Sequence, residues 1–262
     1  MCFASLLADN LNYSSIKVYL SAIRSLHIDH GLPDPLVNCL RLQCLLRGIK
    51  QVQGPASPRH LPITVDLLQA IQRCLDLSTR DHLMLWAACS LRFFGFLQAG
   101  EFTVNSVFDP TTHMTVDDLQ ADSLVNPSCF KVHIKCSKTD PFRVGCDFSV
   151  GRCMGSVWPV TALGSYLSLC GSAPRPRFMF SDGRPLTRQQ LSSSVQSILH
   201  GAGYSGSYSG HSFCIGAATT AVAQEVPDHL IKTLGRWSSD AYQIYIQTPV
   251  SSIVSVSSQL VA

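Results

Sequence analysis

One histidine, one tyrosine and two lysines define the chemistry this sequence can offer. Gly210-His211-Ser212-Phe213-Cys214-Ile215-Gly216-Ala217-Ala218 begins with a glycine that punctuates a helix start, and its small residues allow close packing. His211 falls in the first helical turn, where free backbone N–H groups and the helix dipole favour an anion such as phosphate. A lone histidine there is also commonly a structural partner. Downstream, Leu234-Gly235-Arg236-Trp237-Ser238-Ser239-Asp240-Ala241-Tyr242-Gln243-Ile244-Tyr245 ends on a tyrosine flanked by Ile244 and Ile246. By itself Tyr245 reads as a half-buried packing aromatic. Lys135 and Lys138 bracket a polar turn, Ser137-Lys138-Thr139-Asp140-Pro141.

The elements that must position these residues are mostly helical. Ile16, Tyr19, Leu20, Ile23 and Leu26 follow a hydroxyl N-cap at Tyr13-Ser14-Ser15 and run at helical spacing to Gly31. After Pro33-Asp34-Pro35, the residues Leu36, Leu40, Leu45, Leu46 and Ile49 predict a second amphipathic helix ending near Gly54. Residues 55–60 have a linker composition, so a domain boundary is expected there. Helices are expected over 64–76 and 80–97, then over 158–170, 187–200, 211–224, 227–234 and 239–247. Between these groups the period changes. Phe130, Val132 and Ile134 alternate with Lys131, His133 and Lys135, which predicts a half-buried strand, with a return strand from Phe142 to Val150. The fold class is therefore mostly α with a small β-hairpin, α+β.

Composition narrows the function classes. Hydrophobic residues make up 46% and charged residues 14% of the 262, which argues against disorder. No apolar run reaches membrane-spanning length, and the start, MCFASLLADNLNYSS, lacks the pattern of a secretory signal. Eleven cysteines without a CxxC pair favour packing thiols in a reducing compartment over disulfides or a zinc module, so no metal is expected. An intracellular protein is expected, nuclear if the source is eukaryotic, with no targeting signal seen. Net charge is only +3, but it is unevenly spread. Residues 131–188 carry nine basic side chains against three acids, and residues 1–60 carry six against three, a pattern suited to clamping a polyanion. An ordinary solvated surface accounts for the charge equally well.

Together, His211 with its H-x-x-R-like setting, Leu234-Gly235-Arg236 and Tyr245 nine positions on resemble the tyrosine recombinases of the phage-integrase type, particularly eukaryotic mobile-element versions. The resemblance covers nearly the whole chain. It implies a helical core-binding domain over residues 1–54, lacking its start, a linker over 55–60 and a recombinase-like catalytic domain over 61–262. It also implies double-stranded DNA as partner, assembly of several copies on DNA, and no membrane, metal or small-molecule cofactor. A tyrosine attacks the phosphodiester to give a 3′-phosphotyrosine and a free 5′-hydroxyl, so the bond energy is conserved. Cations and hydrogen-bond donors stabilise the charge that develops. Carried over by position, Tyr245 is the nucleophile, with Tyr242 as runner-up, and His211 is the site histidine. Lys138 is the leaving-group acid, with Lys135 a weaker candidate. Arg236 is the further donor, or Trp237 if the spacing shifts by one.

Two positions depart from the pattern. Where the family carries arginine in F-L-R-x-G-E this chain has Gln98, and where it carries the arginine of H-x-x-R it has Cys214. Neither grips a phosphate with a bidentate charge. Losing one such donor typically costs roughly 10²–10³ in rate. Strand cleavage is therefore expected to be impaired, and the alternative is a non-catalytic DNA-binding protein derived from such a recombinase. Arg92, six positions before Gln98 on an expected helix, should face another direction and is a poor substitute. Lys17, Arg24, Arg47, Lys50, Lys135 and Arg143 are the expected DNA contacts.

Overall fold

The computed structural model describes residues 10–54, 60–123, 125–138, 140, 142–153, 159–171, 175–237, 243 and 246. The chain divides into two compact units, Met1–Arg59 and His60–Ala262.

In the first unit, α1 (Tyr13–Asp29) and α2 (Leu40–Gln53) pack along a narrow seam of Ile16, Leu20, Leu42 and Ile49. The cap of α1 is Asn12, whose Oδ1 accepts from Ser15 N at 2.9 Å, and not the hydroxyl expected from Tyr13-Ser14-Ser15. Gln53 joins the end of α2 to the start of α1, accepting from Tyr13 N at 2.7 Å and donating to Leu11 O at 2.9 Å. Two helices can bury only one line of side chains each. Tyr19 and Leu26, expected on the inner face, are therefore 51% and 58% exposed.

The second unit holds the main core. Its elements are α3 (Val65–Cys74), α4 (Arg80–Phe94), β1 (Leu119–Ala121), β2 (Cys129–Ile134), β3 (Cys146–Gly151), α5 (Pro159–Leu167), α6 (Arg188–Gly201), α7 (Ser212–Ala223) and α8 (Asp228–Gly235). α4 is the central rod, buried without interruption from Leu83 to Phe93, as its nearly continuous apolar sequence requires. The sheet is antiparallel in the order β1-β2-β3, with Leu119 opposite Val132 and Phe130 opposite Val150. Phe130, Val132 and Ile134 face the core while Lys131 is exposed, the alternation expected of this strand. The return strand starts at Cys146, not Phe142. The Asp140 carboxylate accepts from Gly145 N at 2.8 Å, and Gly145 adopts φ 73°, which lengthens the turn. β1 was not anticipated, because three residues are too few to display a period. The helix expected over 239–247 lies outside the described residues.

α7 crosses the Leu61–Ile63 segment at very short range. Ile63 N donates to Ser212 O at 2.9 Å, and a Cβ on Gly216 would come within 1.8 Å of Ile63 O. Only glycine allows this approach, which fixes the start of α7 against the core.

Candidate functional site

A cleft of about 700 Å³ collects residues from several parts of the second unit, His60 and Asn105 among them. α4 contributes Arg92, and the turn after it Gln98 to Glu101. The β2–β3 connection contributes Cys136, Ser137 and Lys138. The first turn of α6 contributes Arg188, and the start of α7 contributes Gly210, His211 and Cys214. Gln98, Lys138, His211 and Cys214, singled out from the sequence, are thus brought together. Arg92 and Arg188 join them.

The position of Arg92 overturns the expectation that it faces elsewhere. The helix does not continue to residue 97. It ends at Phe94, where Leu97 N donates to Arg92 O at 3.0 Å and Phe96 N to Phe93 O at 3.3 Å, with Phe96 left-handed at φ 52°. This pairing is the Schellman arrangement, in which the chain reverses over the last helical turn. Gln98 is thereby folded back beside Arg92. Glycine commonly marks such an end, and here phenylalanine hides it.

The reversed turn is held from the other side by Arg236. α8 ends in the same way, with Trp237 N donating to Lys232 O at 3.1 Å, Arg236 N to Thr233 O at 3.1 Å, and Arg236 at φ 56°. The Arg236 guanidinium donates to Gly95 O at 3.0 Å, Phe96 O at 3.1 Å and Leu234 O at 2.9 Å, and pairs with Glu101 Oε2 at 2.9 Å. Glu101 also accepts from Gln98 N at 2.8 Å. Burial pushes the Glu101 carboxyl above the usual range, against the opposing influence of Arg236. Trp237 sets its ring edge-to-face on Phe96, 6.0 Å between centroids. The structure therefore ties Arg236 and Trp237 to the turn that carries Gln98. Neither lines the cleft.

The cleft is electropositive. His211, at the N-cap of α7, has its pKa lowered first by burial and then by Arg92, His60, Lys138 and Arg188. Cys214 is buried, with its Sγ 3.6 Å from Leu97 O, and burial raises its thiol pKa. It is a neutral packing group at neutral pH. Glu101, the single carboxylate among the described lining residues, is committed to Arg236.

Other expected contacts lie elsewhere. Lys135 is engaged by Asp118 at 2.5 Å, Pro110 O at 2.9 Å, His113 O at 3.2 Å and Thr115 Oγ1 at 3.1 Å. A lysine with four acceptors braces the base of the sheet and has little left for a phosphate. Arg143 is exposed in the β2–β3 connection at φ 53°. In the first unit, Lys17 and Lys50 both approach the Tyr13 ring, at 6.0 and 5.9 Å, and Arg47 is exposed. Arg24 pairs with Asp34 at 2.7 Å. Tyr245 and Tyr242 lie outside the described residues. Among the described residues no group of three or more metal-ligating side chains occurs, and no helix is long and apolar enough to cross a membrane.

The sequence reading missed Arg92 and counted Arg188 only as charge. The signal for Arg92 was present. It interrupts the apolar run Leu91-Arg92-Phe93-Phe94 with no acid at helical neighbour spacing.

No protein-family model matches the chain, and no curated protein matches it. Its fold is similar to that of solved recombinases and integrases. XerH site-specific recombinase, bound to a palindromic difH substrate in a post-cleavage complex, superposes with a TM-score of 0.65 at 16% identity, over 98% of this chain and 67% of that one. The Tn1549 transposon integrase in complex with circular intermediate DNA gives 0.59 at 13%, over 94% and 79%. Lambda integrase residues 75–356 bound to DNA gives 0.51 at 14%, over 92% and 90%. The shared feature at these identities is the fold, an α+β domain with a small antiparallel sheet.

Proposed function

We propose that this chain is a DNA-binding protein of tyrosine-recombinase descent whose cleft holds the duplex backbone and whose strand cleavage is impaired. The observation that carries the reading is the charge of the cleft. Arg92, Lys138 and Arg188 line one cavity beside His211, and the one carboxylate among its described lining residues is committed to Arg236. Such an arrangement suits a phosphodiester and repels acidic side chains. Impairment follows from Gln98 and Cys214. The first donates neutral hydrogen bonds and the second is a buried thiol, so neither offers the bidentate, fully charged grip on a transferring phosphoryl group.

A second reading, an active recombinase, draws support from Arg92 and Arg188, which return two guanidiniums to the cleft. In it the Tyr245 hydroxyl attacks phosphorus and the bond to the 5′ oxygen breaks. Lys138 protonates the leaving oxygen, and a 3′-phosphotyrosine forms. Nicked suicide duplexes separate the two readings. The first expects duplex binding that weakens steeply between low and moderate salt, with covalent adduct at or near background. Efficient adduct lost in Tyr245→Phe would establish the second, and salt-independent affinity would overturn both. Restoring Gln98→Arg together with Cys214→Arg is expected to raise adduct formation. Copies assembling on one duplex, as the resemblance implies, would appear as stepwise shifts in a titration.

A further inference from the structure

We propose that Arg92, at the floor of the cleft, is the principal grip on a DNA backbone phosphate, with Arg188 on the rim as its second cation. This deepens the DNA-binding reading and rests on it, but assigns the contact to an α4 residue at neither of the two positions where the resemblance expects arginine.

Arg92 is 1% exposed, one of the largest fully buried side chains in the chain. A buried guanidinium ordinarily has a carboxylate beside it, because removing a charge from water costs several kcal/mol that only pairing offsets. Arg92 has no ion-pair partner among the described residues. Its Nη2 donates to Gly210 O, its guanidinium lies 4.8 Å from the centre of the Phe213 ring, and its Nε is buried with no hydrogen-bond partner.

Among the described residues, the titratable neighbours of Arg92 do not neutralise it. Cys214 and Cys89 act on it most strongly among its titratable neighbours. Burial pushes the Cys89 thiol up to about 12 and raises that of Cys214, so both are uncharged at neutral pH. Glu101 is held by Arg236 at 2.9 Å. Lys138 and Arg188 add positive charge, and together with burial they hold the His211 pKa down. Stability alone does not favour such a side chain at this place. An incoming anion does, because it supplies the missing counter-charge.

The shape of the cleft suits a phosphodiester. Lys138, Arg188 and His211 are exposed around the rim, where a polymer would rest while one of its phosphate groups enters toward Arg92 below them. One phosphate seated beside His211 would meet the charges of Arg92, Lys138 and Arg188 from several sides, as backbone contacts that fix register on a duplex do. Arg188 is held at the start of α6 through its own N–H, which donates to Asn105 Oδ1 at 2.9 Å, so its side chain projects from a fixed anchor.

The test is duplex binding by the whole chain, measured across a salt series for the wild type, Arg92→Met and Arg188→Gln. Arg92→Met is expected to weaken binding about tenfold or more and to reduce the slope of log affinity against log salt by about one. Arg188→Gln should weaken it severalfold. If the wild type binds no duplex, the DNA-binding reading fails. If it binds and Arg92→Met binds equally well with an unchanged slope, this inference fails alone. Should Arg92→Met not fold, the His211 imidazole of the wild type serves instead. Its pKa should rise when duplex is added, and an unmoved titration in the bound state would overturn the assignment.

Discussion

A buried arginine, Arg92, and a half-buried one, Arg236, lie on either side of the same short turn, and they are treated in opposite ways. Arg236 has a carboxylate and three backbone carbonyls around its guanidinium. Arg92 has one carbonyl and no carboxylate, although the Nε of both arginines is buried without a partner and both lie over an aromatic ring. The charge of Arg236 is neutralised within the fold. Arg177, 4% exposed, also has no ion pair among the described residues, so what sets Arg92 apart is that it lines the electropositive cleft, where an anion can supply the counter-charge. The contrast also separates two roles that sequence spacing had merged, since Arg236 was expected in the chemistry and Arg92 was expected away from it.

The largest test of this contrast is Arg236→Met. It leaves Glu101 buried without its cation, and a loss of about 3–5 kcal/mol in chemical denaturation is expected. A loss under about 1 kcal/mol would remove the distinction. The penalty should depend on pH with a definite sign. The folded pKa of Glu101 is already raised above its unfolded value, so stability is fully present below the unfolded pKa and is lost as pH rises through the folded one. Removing Arg236 raises that pKa further. The variant's deficit should therefore be smallest in acid and grow toward neutrality.

Lys135→Met comes next, because it strips Asp118 of its cation at the base of the sheet, where the two side chains are 19% and 7% exposed. A loss of about 1–3 kcal/mol is expected, read as a lower denaturation midpoint. Arg92→Met should move in the opposite direction or not at all, with stability unchanged or raised by up to about 2 kcal/mol. A loss above that size would make Arg92 a structural residue like Arg236. The smallest effect belongs to Lys131→Ala, which breaks an exposed 2.9 Å pair with Asp147. Its unfolding curve should overlay the wild type.

How far the sequence could be read depended on the length of each element. α3 and α6 carry enough turns for their apolar period to be counted, α4 and α7 read as long apolar runs, and β2 alternates cleanly. β1, with three residues, carries no period at all. The end of α1 was legible because Gly31 takes the left-handed position at φ 68°. The ends of α4 and α8 use Phe96 and Arg236 for the same purpose, so nothing local announced them. One of these hidden endings moved Gln98 to the side of Arg92. The other put Arg236 against Glu101. The cluster of Lys138, His211, Gln98 and Cys214 was assembled from spacing and resemblance together, and the tertiary structure added the two arginines beside it.

Composition and period by themselves determined a mostly helical chain with a small sheet, the linker composition at 55–60, and which residue types were present to meet an anion. These are properties of local spacing, and local spacing is what a linear chain records. Which cations share one cavity, which are already paired and which are left buried without a counter-charge among the described residues were decided by tertiary structure alone. Such facts depend on where helices stop and turn back over themselves. That outcome is set by packing between residues far apart in the chain, such as Gly216 against Ile63 and Arg236 against Glu101.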